Sequence, residues 1–140
     1  MSSEKLLIHL TPRQGYNKVF DLGEYHMQLT EFGIIQLKAG TSYRSSTGDF
    51  EVALVLLGGK FAVKGRSFQF DEVGGRRNVF DGKPHTVYLP WKTDYEITAL
   101  TDVDIAYNAS PASRAKWKLF KEYNGEGEDL SGVYYPDAEE

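Results

Sequence analysis

Residues 49–63 read DFEVALVLLGGKFAV, and this segment decides the fold class. Residues 52–57 form the longest uninterrupted apolar run of the chain, which ends at the pair Gly58-Gly59. A second apolar run, residues 61–63, follows after one lysine and contains an aromatic and a β-branched residue, which suit a pleated, half-buried surface. Two short apolar runs separated by a glycine pair predict two β-strands joined by a tight turn.

The same pattern recurs along the body of the chain. Short apolar runs lie at residues 6–9, 34–37, 52–57, 61–63, 68–70, 87–89, 95–99 and 103–107. Clusters of glycine, aspartate, serine and threonine separate them, at a spacing of about 8 to 12 residues. Regularly spaced short strands with turn residues between them indicate an antiparallel sandwich or barrel. The sequence therefore predicts an all-β domain.

The C-terminal part of the chain changes its periodicity. After Ser110-Pro111 the apolar residues follow a helical spacing up to Tyr123, and Asn124-Gly125 is typical of a helix end. This pattern predicts one helix over residues 111–123, with Pro111 in its first turn. The acidic tail that follows contains Val133-Tyr134-Tyr135, which docks on the body or on a second subunit in one interpretation and frays in the other.

Length and composition exclude several classes of protein. The chain has 140 residues, enough for one domain, and it has no cysteine for disulfides or thiolate metal sites, so a cytoplasmic location is expected. Its longest apolar run is far shorter than the roughly 20 residues of a transmembrane helix, so we expect no membrane partner. The net charge is -4, and residues 122–140 hold seven acidic residues and no basic one. Without a basic patch, we expect no nucleic-acid partner.

Residues 40–58 resemble the first motif of the cupin barrels. In that motif a glycine precedes two metal-binding histidines and a glutamate, and six further residues lead to a second glycine. Glu51 and Gly58 stand in this relation, but Ser46 and Gly48 occupy the places expected for the histidines. The resemblance therefore covers the glutamate half of the motif and departs from it at the histidines.

The second cupin motif ends in a histidine, and its counterpart here is residues 90–95, with Tyr95 in that place. One carboxylate provides too few ligands to hold a divalent cation. The resemblance implies a cupin-like double-stranded jelly-roll β-barrel over residues 1–110. One C-terminal helix and the acidic tail follow over residues 111–140, and no metal or other cofactor is expected.

A more specific resemblance lies in residues 49–60, 78–90 and 98–106. These segments are similar, in order and with matching gaps, to the N-terminal half of the 5-deoxy-glucuronate isomerase family of bacterial inositol catabolism. Members of that family have two cupin halves, and the metal ligands belong to the C-terminal half. The implied reaction interconverts an aldose uronate and its keto isomer, which needs a positioned base and a group that stabilises the enediolate.

Two functions follow from this resemblance, and the sequence leaves both open. As an isomerase, the chain would use Glu51 as the base and Arg44, Lys60 or Arg77 as electrostatic stabilisers. As a metal-free cupin, it would bind a small acidic sugar or a protein partner without catalysis. We expect Glu51, Tyr95 and Arg44 to bind the ligand, whereas the simplest structural role of Glu51 is an ion pair on a strand.

The sequence also predicts a homodimer. Single-domain cupins often associate through sheet edges or exchanged terminal segments, and residues 133–135 offer an apolar anchor. Sedimentation at micromolar concentration should give twice the chain mass of 15.8 kDa, and deletion of residues 126–140 should weaken the association. A clean monomer contradicts this prediction.

Overall fold

The structure is a computed structural model that describes residues 7–113 and 132–134. These residues form ten β-strands and one 3₁₀ turn at Glu24–His26. The strands are β1 (Gly15–Phe20), β2 (Glu31–Leu37), β3 (Ser42–Ser46), β4 (Phe50–Gly58), β5 (Lys60–Gly65), β6 (Gln69–Gly74), β7 (Thr86–Leu89), β8 (Asp94–Ala99), β9 (Val103–Pro111) and β10 (Val133–Tyr134). Within the described ranges no helix has the length and apolar character needed to cross a bilayer.

The strands form two sheets with a shared core between them. The six-stranded sheet has the order β1-β2-β9-β4-β7-β10, and the four-stranded sheet has the order β3-β8-β5-β6. Every pairing among β1 to β9 is antiparallel, which confirms the predicted all-β antiparallel domain. Most connections cross from one sheet to the other, as in a double-sheet jelly roll. The described strands stay in two separate sheets, so closure into a barrel is not confirmed.

Alternation along each strand builds the core. In β4, Val52, Leu54 and Leu56 are buried while the residues between them are partly exposed, the period of two that a one-sided strand requires. The four-stranded sheet contributes Phe61 and Ile97 to the same core. Apolar burial of this kind contributes about 25 cal/mol per Å² removed from water, so this layer holds the two sheets together.

The segment that decides the fold class forms two strands and a tight turn, as predicted. β4 ends at Gly58 and β5 begins at Lys60, so Gly59 turns the chain between them. Gly59 has a φ of 99°, and a Cβ on it would overlap the carbonyl oxygen of Asp102. Glycine therefore meets both a conformational and a steric requirement at this position. The turn carries the chain from one sheet to the other, so β4 and β5 do not pair.

Sequence periodicity misses three strands, β1, β3 and the two-residue β10, and predicts one strand at the N-terminal end that is not formed. β1 and β3 are absent from the prediction because polar residues interrupt both, and Tyr43 is the single large apolar residue of β3. The predicted strand at residues 6–9 is wrong for its described part, because residues 7–9 are irregular. The other seven predicted runs lie in strands or overlap them.

The predicted helix start at Pro111 is wrong. Pro111 is the last residue of β9 and pairs with Phe50, and the Ala112 N–H donates a hydrogen bond to the Asp49 carbonyl oxygen at 2.9 Å. A strand end tolerates proline because the ladder stops there and the missing N–H is not needed. The rest of the predicted helix, from residue 114, and its predicted stop lie outside the described residues.

β10 docks on the body of the domain, which confirms one interpretation of the apolar triplet for its two described residues. Val133–Tyr134 pairs in parallel with β7. The Tyr134 ring centroid lies 5.5 Å from that of Phe70 and 6.0 Å from that of His85. Because Phe70 belongs to the four-stranded sheet, Tyr134 connects the edges of the two sheets.

We predict that Tyr134→Ala lowers the free energy of unfolding by about 1–3 kcal/mol, because it removes the aromatic contact between the two sheet edges. Phe80→Ala is the matched control. The Phe80 side chain is 95% exposed, and such surface changes stay within about 0.5 kcal/mol. Urea denaturation followed by tryptophan fluorescence measures both variants. Wild-type stability of the Tyr134 variant would show that this contact adds nothing to the fold.

Candidate functional site

Four tyrosines gather between the two sheets, at the end where β5 stops and β8 begins. Tyr16, Tyr43, Tyr95 and Tyr107 come from β1, β3, β8 and β9, and we call them the tyrosine cluster. The Tyr16 and Tyr107 rings meet edge to face with centroids 4.8 Å apart. Tyr95 is 4% exposed, and the other three are partly buried against the core. Strand alternation produces this arrangement, because the four residues lie on the strand faces that point inward.

A glycine in β2 makes room for the cluster. Gly33 is buried and pairs with Lys18 in β1 and with Tyr107 in β9. A Cβ on Gly33 would overlap the Tyr16 ring, so the ring occupies the space of the absent side chain. Any larger residue at position 33 would push Tyr16 out of the cluster.

Two hydroxyls of the cluster are unusual for a packed core. Those of Tyr16 and Tyr95 are buried without a hydrogen bond of standard geometry to any described residue, although Ser45 lies opposite Tyr95 on the paired strand. Buried polar groups are nearly always hydrogen-bonded, and exceptions call for a specific explanation, such as a water or a bound molecule. The Tyr16 hydroxyl is therefore a buried donor that a water or a bound molecule could satisfy, and the Tyr95 hydroxyl has Ser45 as its nearest polar neighbour.

The protonation of the cluster follows from its burial. Burial raises the pKa of Tyr16 and that of Tyr95. It also raises the pKa of Tyr107 to about 12, and the negative charge of Glu31 adds to this effect. These phenols therefore stay protonated at neutral pH and can donate hydrogen bonds.

A charged rim borders the cluster. Glu31 lies two residues before Gly33 and so on the same face of β2, and its side chain is 13% exposed. The Lys18 Nζ lies 2.8 Å from Glu31 Oε1 and 2.8 Å from Asp21 Oδ1. Hydrogen bonds to Asp21 and Glu31 raise the pKa of Lys18, and the bond from Lys18 lowers the pKa of Asp21. The site thus combines phenolic donors, aromatic ring faces and an ion-paired carboxylate, a set that suits a polyhydroxylated molecule.

The three ligand residues expected from the sequence do not converge. Tyr95 belongs to the tyrosine cluster. Arg44 pairs in register with Glu96, the neighbour of Tyr95, and forms an ion pair with it on the outer face of the four-stranded sheet. Glu51 lies on the outer face of the six-stranded sheet, where the Tyr88 hydroxyl donates a hydrogen bond to its Oε2 at 2.8 Å. Arg44 and Tyr95 line one shallow cleft, and Glu51 lies apart from it, so a common ligand of all three residues stays a prediction.

Several residues of the site are absent from the sequence-based prediction. Tyr16 and Tyr43 lie on β1 and β3, the two strands that the periodicity misses. Tyr107 could have been found, because it alternates with the apolar residues Val103 and Ile105 along the predicted run 103–107. Its inward direction is thus readable from the sequence, whereas its neighbours across the sheets are not.

The cupin resemblance raises the question of a metal between the sheets. The inward side chains of β3 and β8 at this end are Tyr43, Ser45 and Tyr95, and the raised pKa of Tyr95 opposes the deprotonation that ligation requires. Glu51, the carboxylate of the motif, points away from this space. No group of three or more His, Cys, Asp or Glu residues in the described part of the chain could hold a metal ion. The donor set at this place does not fit a divalent metal.

Residues 7–125 match the family described as KduI/IolB. The chain belongs to the KduI/IolB family. The 5-deoxy-glucuronate isomerase of Bacillus licheniformis is 32% identical over 117 residues, which cover 80% of this chain and 43% of that protein. The 5-deoxy-glucuronate isomerase of Geobacillus kaustophilus is 36% identical over 81 residues, which cover 57% of this chain and 29% of that protein. The chain spans less than half the length of these curated relatives.

Solved structures show the same fold. An IolB-like protein from Salmonella typhimurium has a TM-score of 0.66 at 29% identity, over 74% of this chain and 40% of that chain. An RmlC-like cupin protein from Desulfovibrio desulfuricans has a TM-score of 0.53 at 19% identity, over 81% of this chain and 99% of that chain. These KduI/IolB and cupin similarities confirm the expected family and a cupin-like all-β fold.

We predict that the domain loses stability as the pH rises from about 10 to about 12. Because the folded pKa of Tyr107 is raised, its contribution is fully present below the unfolded pKa and disappears as the pH passes the folded value. Urea unfolding at a series of alkaline pH values measures the slope of stability against pH. Tyr107→Phe should reduce that slope, and Tyr25→Phe, at a tyrosine outside the cluster, is the control. An unchanged slope in Tyr107→Phe would refute this account.

Proposed function

We propose that the chain is a ligand-binding member of its family, which binds a small sugar acid of the uronate type at the tyrosine cluster and does not isomerise it alone. Two buried hydroxyls carry this proposal: that of Tyr16, which has no hydrogen-bond partner among the described residues, and that of Tyr95, which has only Ser45 opposite it. The ligand class comes from the curated relatives, which are named as isomerases of a uronate.

The chemistry of the cluster supports a sugar acid. Phenolic hydroxyls donate to hydroxyl, carbonyl and carboxylate oxygens, and the raised pKa of Tyr95 keeps that donor protonated. The Tyr16 and Tyr107 rings offer aromatic surface for the apolar face of a sugar. The ion pair between Lys18 and Glu31 reduces the repulsion between this carboxylate and an anionic ligand.

Isomerisation requires more than this set of groups. The reaction needs a free base and a strong stabiliser of the enediolate, commonly a metal ion or a fixed cation. Glu31 is the carboxylate at the rim of the cluster, and Lys18 holds it in an ion pair. Protonated phenols alone stabilise an enediolate less than a cation does, so the geometry favours binding over catalysis.

Binding is tested by titrating the protein with glucuronate and following amide signals by NMR. We expect shifts at Gly33 and Gly65, which flank the cluster, and an affinity about tenfold lower in Tyr95→Phe, because one donor to a charged group is lost. Tyr25→Phe is the matched control and should bind like the wild type. Thermal melting separates binding from folding, since Tyr95→Phe removes at most the contact with Ser45 and should lower stability by no more than about 1 kcal/mol. Equal affinity in all three proteins would disprove the proposed site.

Catalysis is tested by incubating the chain with 5-deoxy-glucuronate and observing the keto product by NMR. We expect no product above the uncatalysed rate, with or without added divalent metal. Glu31→Gln and Glu51→Gln distinguish the carboxylate at the cluster from the one on the outer face. Turnover that survives chelation and disappears in Glu31→Gln would replace the binding proposal with a metal-independent isomerase.

A further inference from the structure

A cleft lies at the opposite end of the sandwich from the tyrosine cluster. β5 runs from Lys60 beside the cleft to Gly65 beside the cluster, so the two places are about 16 Å apart along this strand. The cleft has a volume of about 580 Å³, which is within the range of small-molecule sites. Its walls come from the ends of β2 and β4 and from segments 75–77 and 101–104. Lys60 and Arg77, expected from the sequence to stabilise charge, line this cleft and not the cluster.

Arg76 lines the cleft without a carboxylate partner. Its Nε donates to the Leu56 carbonyl oxygen at 3.1 Å, and its Nη2 donates to the same oxygen. Among the described residues Arg76 takes part in no ion pair within 4.0 Å. Asp81, which is paired with Arg77, also feels the charge of Arg76, but no carboxylate of the described residues contacts this guanidinium directly. A partly buried guanidinium held only by a neutral oxygen favours an anion in the adjoining space.

The neighbouring cations differ from Arg76 because acidic side chains already neutralise them. The pairs are Lys38 with Asp102 at 3.6 Å, Lys60 with Glu72 at 2.7 Å and Arg77 with Asp81 at 3.1 Å. Asp104, a further acidic residue of the lining, accepts a hydrogen bond from Gln36 at 2.9 Å. An anion in this cleft is therefore expected on the Arg76 side and away from Asp104.

Glycines hold the backbone around Arg76 in one arrangement. The Gly59 N–H donates to the Arg76 carbonyl oxygen at 2.8 Å, and the Gly75 N–H donates to the Gly59 carbonyl oxygen at 3.0 Å. Both glycines have positive φ, 99° and 133°, which side-chain-bearing residues rarely adopt. The guanidinium thus starts from a fixed backbone, so less conformational freedom is lost when it binds a ligand.

We propose that this cleft is a second binding site, for a sugar-sized metabolite bearing a carboxylate or phosphate group, with Arg76 as the residue that binds the oxyanion. Arginine suits this role because its planar fork donates two parallel hydrogen bonds to such groups. Lys60, in an exposed ion pair with Glu72, is positioned to exchange that partner for the ligand. The site is independent of the tyrosine cluster, because the two lie at opposite ends of β5.

The experiment is an NMR and calorimetric titration of the full chain at low ionic strength with inorganic phosphate, glucuronate and glucose. We expect phosphate, glucuronate or both to shift the Gly59 and Gly75 amides, and glucose to leave them unchanged. Arg76→Gln should weaken binding about tenfold, and Arg76→Lys should retain part of it, because the charge remains and the fork is lost. Arg66→Gln removes the same charge from an exposed position at the cluster end and should bind as the wild type does.

Each outcome decides between the two sites or against this one. Shifts at Gly59 and Gly75 with phosphate alone identify a phosphate ligand, and shifts with glucuronate alone identify a carboxylate. If Arg66→Gln lost as much affinity as Arg76→Gln, the loss would come from the lower net charge of the protein, and the proposal would be overturned. Glucuronate shifts confined to Gly33 and Gly65 would support the tyrosine cluster and exclude the cleft. If thermal melting shows that Arg76→Gln is unfolded, the affinity of Arg76→Lys and the amide shifts of the wild type test the proposal instead.

Discussion

The register of β9 between β2 and β4 determines which residues meet between the sheets. β9 pairs with both strands along their lengths, so Tyr107 stands between Gly33 on one side and Leu54 on the other. Because successive side chains alternate, a shift of one residue would turn Tyr107 outward and bring Asn108 inward. The cluster therefore exists only in this register, and the absent side chain of Gly33 gives Tyr16 its place beside Tyr107.

The same alternation explains why Glu51 matches the cupin motif in its spacing along the chain but does not point into the space between the sheets. Glu51 stands six residues before Gly58, as the cupin motif requires, but Val52 next to it is the residue that faces the core. In β3, Arg44 faces outward and Ser45 lies opposite Tyr95. Spacing along a chain fixes the order of residues, whereas the face that each one occupies depends on the start of the strand and on its bulges.

The fold was predictable from the sequence where apolar periodicity was strong, and less so elsewhere. The runs in β4, β5, β8 and β9 carry most of the core, and their pattern is set by burial, which the sequence records directly. β1 and β3 each contribute one tyrosine to the cluster, and most of their other residues are polar. They form strands because they pair with β2 and β8. Pro111 illustrates the same limit, since its pairing with Phe50 overrides the local preference for a helix start.

The buried hydroxyls of Tyr16 and Tyr95 show whether the tyrosine cluster serves only packing or also binding. Phenylalanine would supply the same ring area at positions 16 and 95 and would avoid the cost of about 1–3 kcal/mol for a buried donor without a partner. The fold itself therefore gains nothing from the Tyr16 oxygen, and from the Tyr95 oxygen no more than its contact with Ser45. A ligand that accepts hydrogen bonds from both recovers part of that free energy on binding, and its oxygen atoms must reach β1 of one sheet and β8 of the other. The binding role of the cluster therefore depends on a ligand that spans the space between the two sheets, whereas a packing role needs only the four rings.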